Sequence, residues 1–134
     1  MKEILKDGYI VRPASEKDIE GIVELENQCF SHPMSADNAK SFLLGENSIA
    51  FVCCETDLPD AVLAYCGALC VLDEAQVLNV ATAPSHRGKG LGRLVTQALL
   101  TEARRRSVVS MTLEVRESNS IAQSLYKSLG FYKF

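Results

Sequence analysis

The stretch Leu78-Asn-Val-Ala-Thr-Ala-Pro-Ser-His-Arg-Gly-Lys-Gly-Leu-Gly-Arg93 constrains the fold of this chain more than any other. An apolar β-like run stops at Pro84. Arg87 then opens a glycine-dense turn made by Gly88, Gly90 and Gly92. Leu91, Leu94, Val95, Ala98 and Leu99 follow at helical spacing. A strand that passes through a glycine turn into a helix leaves a row of backbone N–H groups at the positive end of the helix dipole. That arrangement binds phosphate. Arg87, Lys89 and Arg93 add cationic side chains, so a phosphorylated cofactor is expected on Arg87 to Arg93. The plain alternative is that the glycines only permit a tight strand-to-helix connection.

The loop matches neither of two common phosphate signatures. A Walker A loop needs a Ser or Thr after its Gly-Lys pair, and Gly90 follows Gly88-Lys89 here. The dinucleotide fingerprint is G-x-G-x-x-G placed tight against a strand. This chain has G-x-G-x-G, with four residues from Pro84 to Arg87 before the first glycine. Glu114 lies at about the distance of a ribose-binding acid, so the loop alone rejects that reading.

The pattern that fits is R-x-x-G-x-G, present as Arg87-Gly-Lys-Gly90-Leu-Gly92. It resembles the pyrophosphate loop of the GNAT superfamily of acetyl-CoA-dependent N-acetyltransferases. A second match follows in Leu113-Glu-Val-Arg-Glu-Ser-Asn119, Ala122 and Leu125-Tyr126-Lys-Ser-Leu-Gly-Phe131. Together the two resemble the RimI branch, the ribosomal-protein alanine N-acetyltransferases. The likeness runs from about Tyr9 to the end.

At 134 residues the chain suits a single domain, 1–134, with its own core. Its 47% hydrophobic and 23% charged residues are ordinary for a soluble protein. A net charge of −3 argues against general nucleic-acid affinity. No apolar run is long enough to span a membrane, and the first residues lack the apolar core of a signal peptide. Cys29, Cys53, Cys54, Cys66 and Cys70 all sit in apolar runs, are odd in number and contain no C-x-x-C. Reduced, buried cysteines of a cytoplasmic protein are expected. His32 and His86 stand far apart, so no metal site is expected.

Periodicity predicts a strand at Tyr9–Arg12 and a capping box at Ser15–Asp18. A helix follows to about Cys29, with Ile19, Ile22, Val23 and Leu25 on its apolar face. A turn spans Ser31–Ser35. A second helix is anchored by Phe42 and Leu43 and stopped at Gly45. Strands are expected at 49–55, 61–72 and 75–83, then the phosphate-loop helix to about Arg106. Its last residues, Arg104 to Arg106, suit a solvated helix end. A strand at Ser110–Arg116 carries Glu114 away from the apolar side. A final helix at Ser120–Leu129 packs through Ile121, Ala122, Leu125 and Leu129, and Phe131–Phe134 starts a last strand. The order is that of an α/β fold with a mixed sheet. The resemblance implies the same: a GNAT fold, with an antiparallel N-terminal meander, a parallel pair at the cofactor cleft and about four helices. The family continues past Gly-Phe with a full strand and a tyrosine-containing tail. With Phe134 as the last residue, a truncated last strand is expected.

The resemblance also assigns roles. Val80, Ala81 and Thr82 would lie along the cofactor arm, with a backbone N–H polarising the acetyl carbonyl. Asn119 would hold that arm, Glu114 would act as general base and Tyr126 as general acid. Read without the resemblance, these positions are a core strand, a helix N-cap, a surface carboxylate and a half-buried aromatic. The implied cosubstrate is acetyl-CoA and the implied acceptor a ribosomal-protein N-terminus, alanine or serine. An α-amine, with a pKa of about 7.7–8.0 against about 10.4 for lysine, suits one modest carboxylate base. Cys29 to Ser35 resembles the segment lining the acceptor groove, with Met34 where the family often has tryptophan. Two other readings stay open: an acetyltransferase of small, polyamine-like amines, and a non-catalytic acetyl-CoA-binding module.

Overall fold

The apolar runs pair into one sheet whose spatial order is its chain order, β1 to β6. The strands are β1 (Ile4–Lys6), β2 (Tyr9–Pro13), β3 (Ser48–Glu55), β4 (Ala64–Val71), β5 (Glu74–Thr82) and β6 (Ser110–Thr112). The helices are α1 (Ile19–Cys29), α2 (Ala36–Leu43), α3 (Leu91–Arg105) and α4 (Ser120–Ser128). The structure, a computed structural model, describes residues 3–115 and 119–132. The first five strands form an antiparallel meander, and β5 pairs with β6 in parallel. This is the expected mixed sheet.

Side chains alternate across a strand, so a central strand buried on both faces reads as a continuous apolar run. In β3, Ile49, Phe51 and Cys53 face the core beneath α3, with Leu91, Val95 and Leu99. Ala50, Val52 and Cys54 face the other core with Ile22 and Leu25 of α1 and Leu43 of α2. Truncating a buried leucine such as Leu99 to alanine would cost about 2–5 kcal/mol. A Cβ at Gly67 of β4 would stand 2.2 Å from Leu43 Cδ2, so a side chain there would require Leu43 to repack.

Several details differ from the sequence expectation. The hairpin partner β1 precedes the first expected strand. Its turn is Asp7-Gly8, both with positive φ (52° and 85°), a dipeptide that marks such hairpins. The strand expected at Ser110–Arg116 is ladder-paired only at Ser110–Thr112, and Arg116 lies outside the described residues. Phe42 is 41% exposed, leaving Leu43 as the buried anchor of α2. In α4, Ala122, Leu125 and Leu129 are half-buried, but Ile121 is 85% exposed. α4 buries only a narrow strip beyond the sheet edge. Phe131 and Tyr132 form no strand, and Lys133 and Phe134 lie outside the described residues.

The end of α3 is more than a solvated terminus. Buried Glu102 accepts from Arg105 Nη2 at 2.6 Å and Arg106 Nε at 2.8 Å. Arg106 Nη1 also reaches Ser48 O at 3.1 Å. The Arg105 hydrogen bonds lead in holding the Glu102 carboxyl down at about 2, against an opposing effect of burial. All five cysteines are free. Cys53, Cys54 and Cys66 are buried, whereas Cys29 and Cys70 are only half-buried. Burial pushes the Cys53 thiol up to about 12, which keeps it unreactive. No described helix is long and apolar enough to cross a membrane.

Candidate active site

A cleft opens where two parallel strands part. β5 and β6 pair at Glu74–Ser110, Ala75–Met111 and Gln76–Thr112. Beyond Gln76 the ladder ends. At the same level β5 carries a bulge: Gly67 pairs with Asn79 and Ala68 with Val77, which leaves Leu78 as the extra residue. A bulge bends its strand and increases local twist. It lies just beyond the last rung of that ladder, where Leu113–Val115 no longer pair with β5.

The resulting cleft has a volume of about 470 Å³, within the range of ligand sites. One wall is Val77 to Val80 of β5. The opposite wall is Leu113 to Val115 with Asn119, Ala122 and Tyr126, and Cys29 to His32 close one end. Glu114 and Tyr126, distant from β5 in the chain, thus line the same cleft as Val77 to Val80. Val80 lines the cleft, but the Ala81 side chain is buried on the α1–α2 face. Only the backbone of Ala81 is left to meet a cofactor. Thr82 O accepts from Cys29 Sγ at 3.4 Å and Arg87 Nε at 3.3 Å.

The glycine turn stands at the end of β5. Gly88 and Gly90 have φ of 82° and 79°, a left-handed conformation that L side chains rarely adopt. Open space lies where their Cβ atoms would be. Gly90 is the N-cap of α3 and brings no side-chain cap, so the first N–H groups of the helix lack intrahelical partners. A cradle of small residues around uncapped N–H groups fits a pyrophosphate. Gly92 sits close enough that a Cβ would meet Thr82 Oγ1 at 3.4 Å, Leu125 Cδ2 at 3.7 Å and Val80 Cγ1 at 4.0 Å. Through Gly92 the turn stands beside Val80 of the cleft, whereas Ala81, Thr82 and Arg87 to Arg93 are not themselves among the residues that line it. Leu91 is 1% exposed in the α3 core, which leaves its N–H as the only group for a ligand.

The cations near the turn are partly engaged. Arg87 Nη2 donates to Cys29 Sγ at 3.5 Å in addition to its bond to Thr82 O. Arg93 Nη2 donates to Ser128 Oγ and ties α3 to α4. Lys89 is exposed.

On the far wall, Asn119 caps α4, its Oδ1 accepting from Ala122 N at 3.1 Å. The Tyr126 ring packs edge-on against Phe131 with centroids 5.9 Å apart. Burial, and then the nearby Cys66, push the Tyr126 phenol up to about 12. It therefore stays protonated at neutral pH. Glu114 is exposed at the cleft.

One group at this site has no counterpart in the sequence reading. Glu26 of α1 is 0% exposed. Its carboxylate accepts from Met34 N at 2.8 Å, Asn79 Nδ2 at 2.9 Å and Tyr65 OH. A glutamate within an apolar helical stripe at Ile22, Leu25 and Glu26 was the available signal. Among the described residues, no three His, Cys, Asp or Glu side chains are grouped to hold a metal ion.

Residues 19–131 match the acetyltransferase (GNAT) family model. The chain is 34% identical over 117 residues to the [ribosomal protein bS18]-alanine N-acetyltransferase of Salmonella typhimurium, covering 87% of this chain and 76% of that protein. It is 31% identical over 116 residues to the enzyme of the same name from Haemophilus ducreyi, covering 87% and 77%. The crystal structure of the ribosomal-protein-S18-alanine N-acetyltransferase from Escherichia coli superposes with a TM-score of 0.84 at 30% identity, covering 94% of this chain and 79% of that one. With the family model spanning all four helices and the four strands β3 to β6, this chain belongs to the GNAT family of acetyltransferases.

Proposed function

We propose that this chain transfers the acetyl group of acetyl-CoA to the α-amine at the N-terminus of a ribosomal protein, alanine or serine first, by direct attack in a ternary complex. The observation that carries this reading is the cleft between β5 and Leu113–Val115. Glu114 and Tyr126 line it with Val80 and Asn119, and the uncapped glycine turn at the start of α3 stands beside Val80 through Gly92. The names of the relatives from Salmonella typhimurium and Haemophilus ducreyi support the acceptor.

Acetyl-CoA supplies a thioester carbonyl and a thiol leaving group. The N–H groups of Gly88 to Arg93 hold the pyrophosphate, with Lys89 as the exposed cation. The Val80–Thr82 backbone lies along the cofactor arm, and Asn119 stands at the opposite side. Glu114 takes the proton of the incoming ammonium, directly or through water. About a tenth of α-amines are already neutral at pH 7, so the base need not be strong. Tyr126, protonated across the neutral range, donates to the sulfur as its charge builds, and solvent restores the proton it gives up. The free cysteines suit a reducing compartment such as the cytoplasm.

An acceptor screen with acetyl-CoA tests this. N-terminal alanine and serine peptides are expected to be acetylated and polyamines not. Turnover on polyamines alone would move the chain to small-amine acetylation. Binding of acetyl-CoA without turnover on either would leave it a binding module.

A further inference from the structure

We propose that Glu26 is the positioning residue of the acceptor site: its buried carboxylate fixes the Phe30–Ser35 segment against β5. This rests on reading the cleft as the acetyl-transfer site. One carboxylate joins three parts of the fold. Oε1 accepts the Met34 N–H at 2.8 Å, in the segment between α1 and α2. Oε2 accepts from Asn79 Nδ2 at 2.9 Å, on β5, and from Tyr65 OH, on β4. Asn79 sits beside the Leu78 bulge and itself lines the cleft, as do Phe30, Ser31 and His32.

All three partners are neutral donors, and the carboxylate is fully enclosed. A buried carboxylate without a paired cation is a poor way to gain stability, because its desolvation cost is large. What it provides is geometry. The loop from Phe30 to Ser35 has no ladder pairing of its own, and Met34 is held through its backbone. The side chains that close the acceptor end of the cleft are therefore located by a bond made in the interior.

Three substitutions separate this from a purely structural role. Glu26→Gln keeps an oxygen for the Met34 N–H. Glu26→Asp keeps a carboxyl group but withdraws it by one methylene, out of simultaneous reach of Met34, Tyr65 and Asn79. Glu26→Leu removes every acceptor. For whichever amine the parent acetylates, Glu26→Asp is expected to raise the acceptor KM about tenfold, and Glu26→Leu, which strands all three donors, at least as much. Uniform binding is then what is lost, so kcat should stay within about threefold and acetyl-CoA affinity within about twofold. Glu26→Gln keeps the Met34 bond but turns an NH2 toward Asn79 Nδ2 and Tyr65 OH, so its KM should lie between those of the parent and Glu26→Asp.

Hydrogen exchange at the Met34 amide gives a second readout that needs no acceptor and no leucine variant. Protection is expected in the parent and Glu26→Gln, and its loss in Glu26→Asp. Equal protection in all three, or a Glu26→Asp KM equal to the parent's, overturns the proposal. So does a rise in the acetyl-CoA dissociation constant that matches the rise in KM, which would mark a general loss of structure. A parent that acetylates only polyamines overturns the N-terminal acceptor but leaves these readings of Glu26 intact.

Discussion

Arg12 and Asp18 meet in two parallel hydrogen bonds of 2.7 Å, Nη1 to Oδ2 and Nη2 to Oδ1. The pair joins β2 to the turn that starts α1. Ser15 N also donates to Asp18 Oδ2 at 2.9 Å, and Arg12 Nη2 reaches Pro59 O at 3.0 Å. Burial opposes the Asp18 charge, but the Arg12 bonds and the Ser15 amide outweigh it and hold the carboxyl below its ordinary range. Asp18→Asn leaves the Arg12 charge buried without its partner, at an expected cost of about 3–5 kcal/mol. Because the folded value is depressed, the stabilisation is complete above the ordinary carboxylate value and drains away as pH falls through the folded one. Urea midpoints of parent and variant should stay apart by a constant amount at neutral pH and converge below about pH 4. A gap that persists unchanged at pH 2 would remove the carboxylate as its source.

The glycine turn was legible because the backbone there demands particular residues. Gly88 and Gly90 occupy positive φ, and that requirement is written into the sequence. Strand β3 was legible for a related reason, since burial on both faces forces an unbroken apolar run. Glu26 left almost no trace, because its partners lie 8, 39 and 53 residues away. The parting of β5 from Leu113–Val115 was equally hidden: the bulge at Leu78 involves no glycine or proline on its own strand. Ile121 shares helical phase with Leu125 but not its burial, because the period of a helix does not say how wide a strip the sheet edge will cover. Ser15 to Asp18 form the expected capping box, but the spacing carried no sign that Arg12 is the stronger partner of Asp18.

Acetyl-CoA should stabilise the fold through the turn at Gly88 to Arg93. At 100 times its dissociation constant, a ligand adds about 2.7 kcal/mol. Gly90→Ala and Gly90→Glu both force a side chain into positive φ, at about 1–2 kcal/mol. Only the glutamate places a negative charge on the phosphate cradle. Thermal shifts should therefore show acetyl-CoA stabilising the alanine variant and failing to stabilise the glutamate variant. A Gly90→Glu protein that binds as tightly as Gly90→Ala would put the pyrophosphate elsewhere.

Glu114→Gln should slow acetylation and spare cofactor binding, since the side chain lines the cleft and is no part of the glycine turn. Loss of a general base costs about 100- to 10,000-fold, with the low end expected for an amine that is partly neutral already. Raising the pH toward 9 increases the neutral amine and should recover part of the rate in the variant. The check is the pH profile of kcat/KM for an N-terminal alanine peptide. Equal rates for parent and variant at pH 7 would take Glu114 out of the mechanism.

Tyr126→Phe separates catalysis from packing. The phenylalanine keeps the edge-on contact with Phe131, whose centroid lies 5.9 Å away. Among the described residues no hydrogen bond is made by the phenol oxygen, so its loss should leave the melting temperature nearly unchanged. A hydroxyl that satisfied a buried partner would instead cost about 1 kcal/mol of stability. If the phenol donates to the sulfur, kcat should fall about 100-fold or more, with acetyl-CoA affinity retained. Burial holds the phenol at about 12, so it loses its proton only as the pH rises toward that value. The parent should accordingly show no decline of kcat from Tyr126 between pH 6 and about pH 10. A variant that turns over at the parent rate leaves solvent as the proton source for the departing thiolate. A variant that loses stability and activity together makes Tyr126 a packing residue of α4.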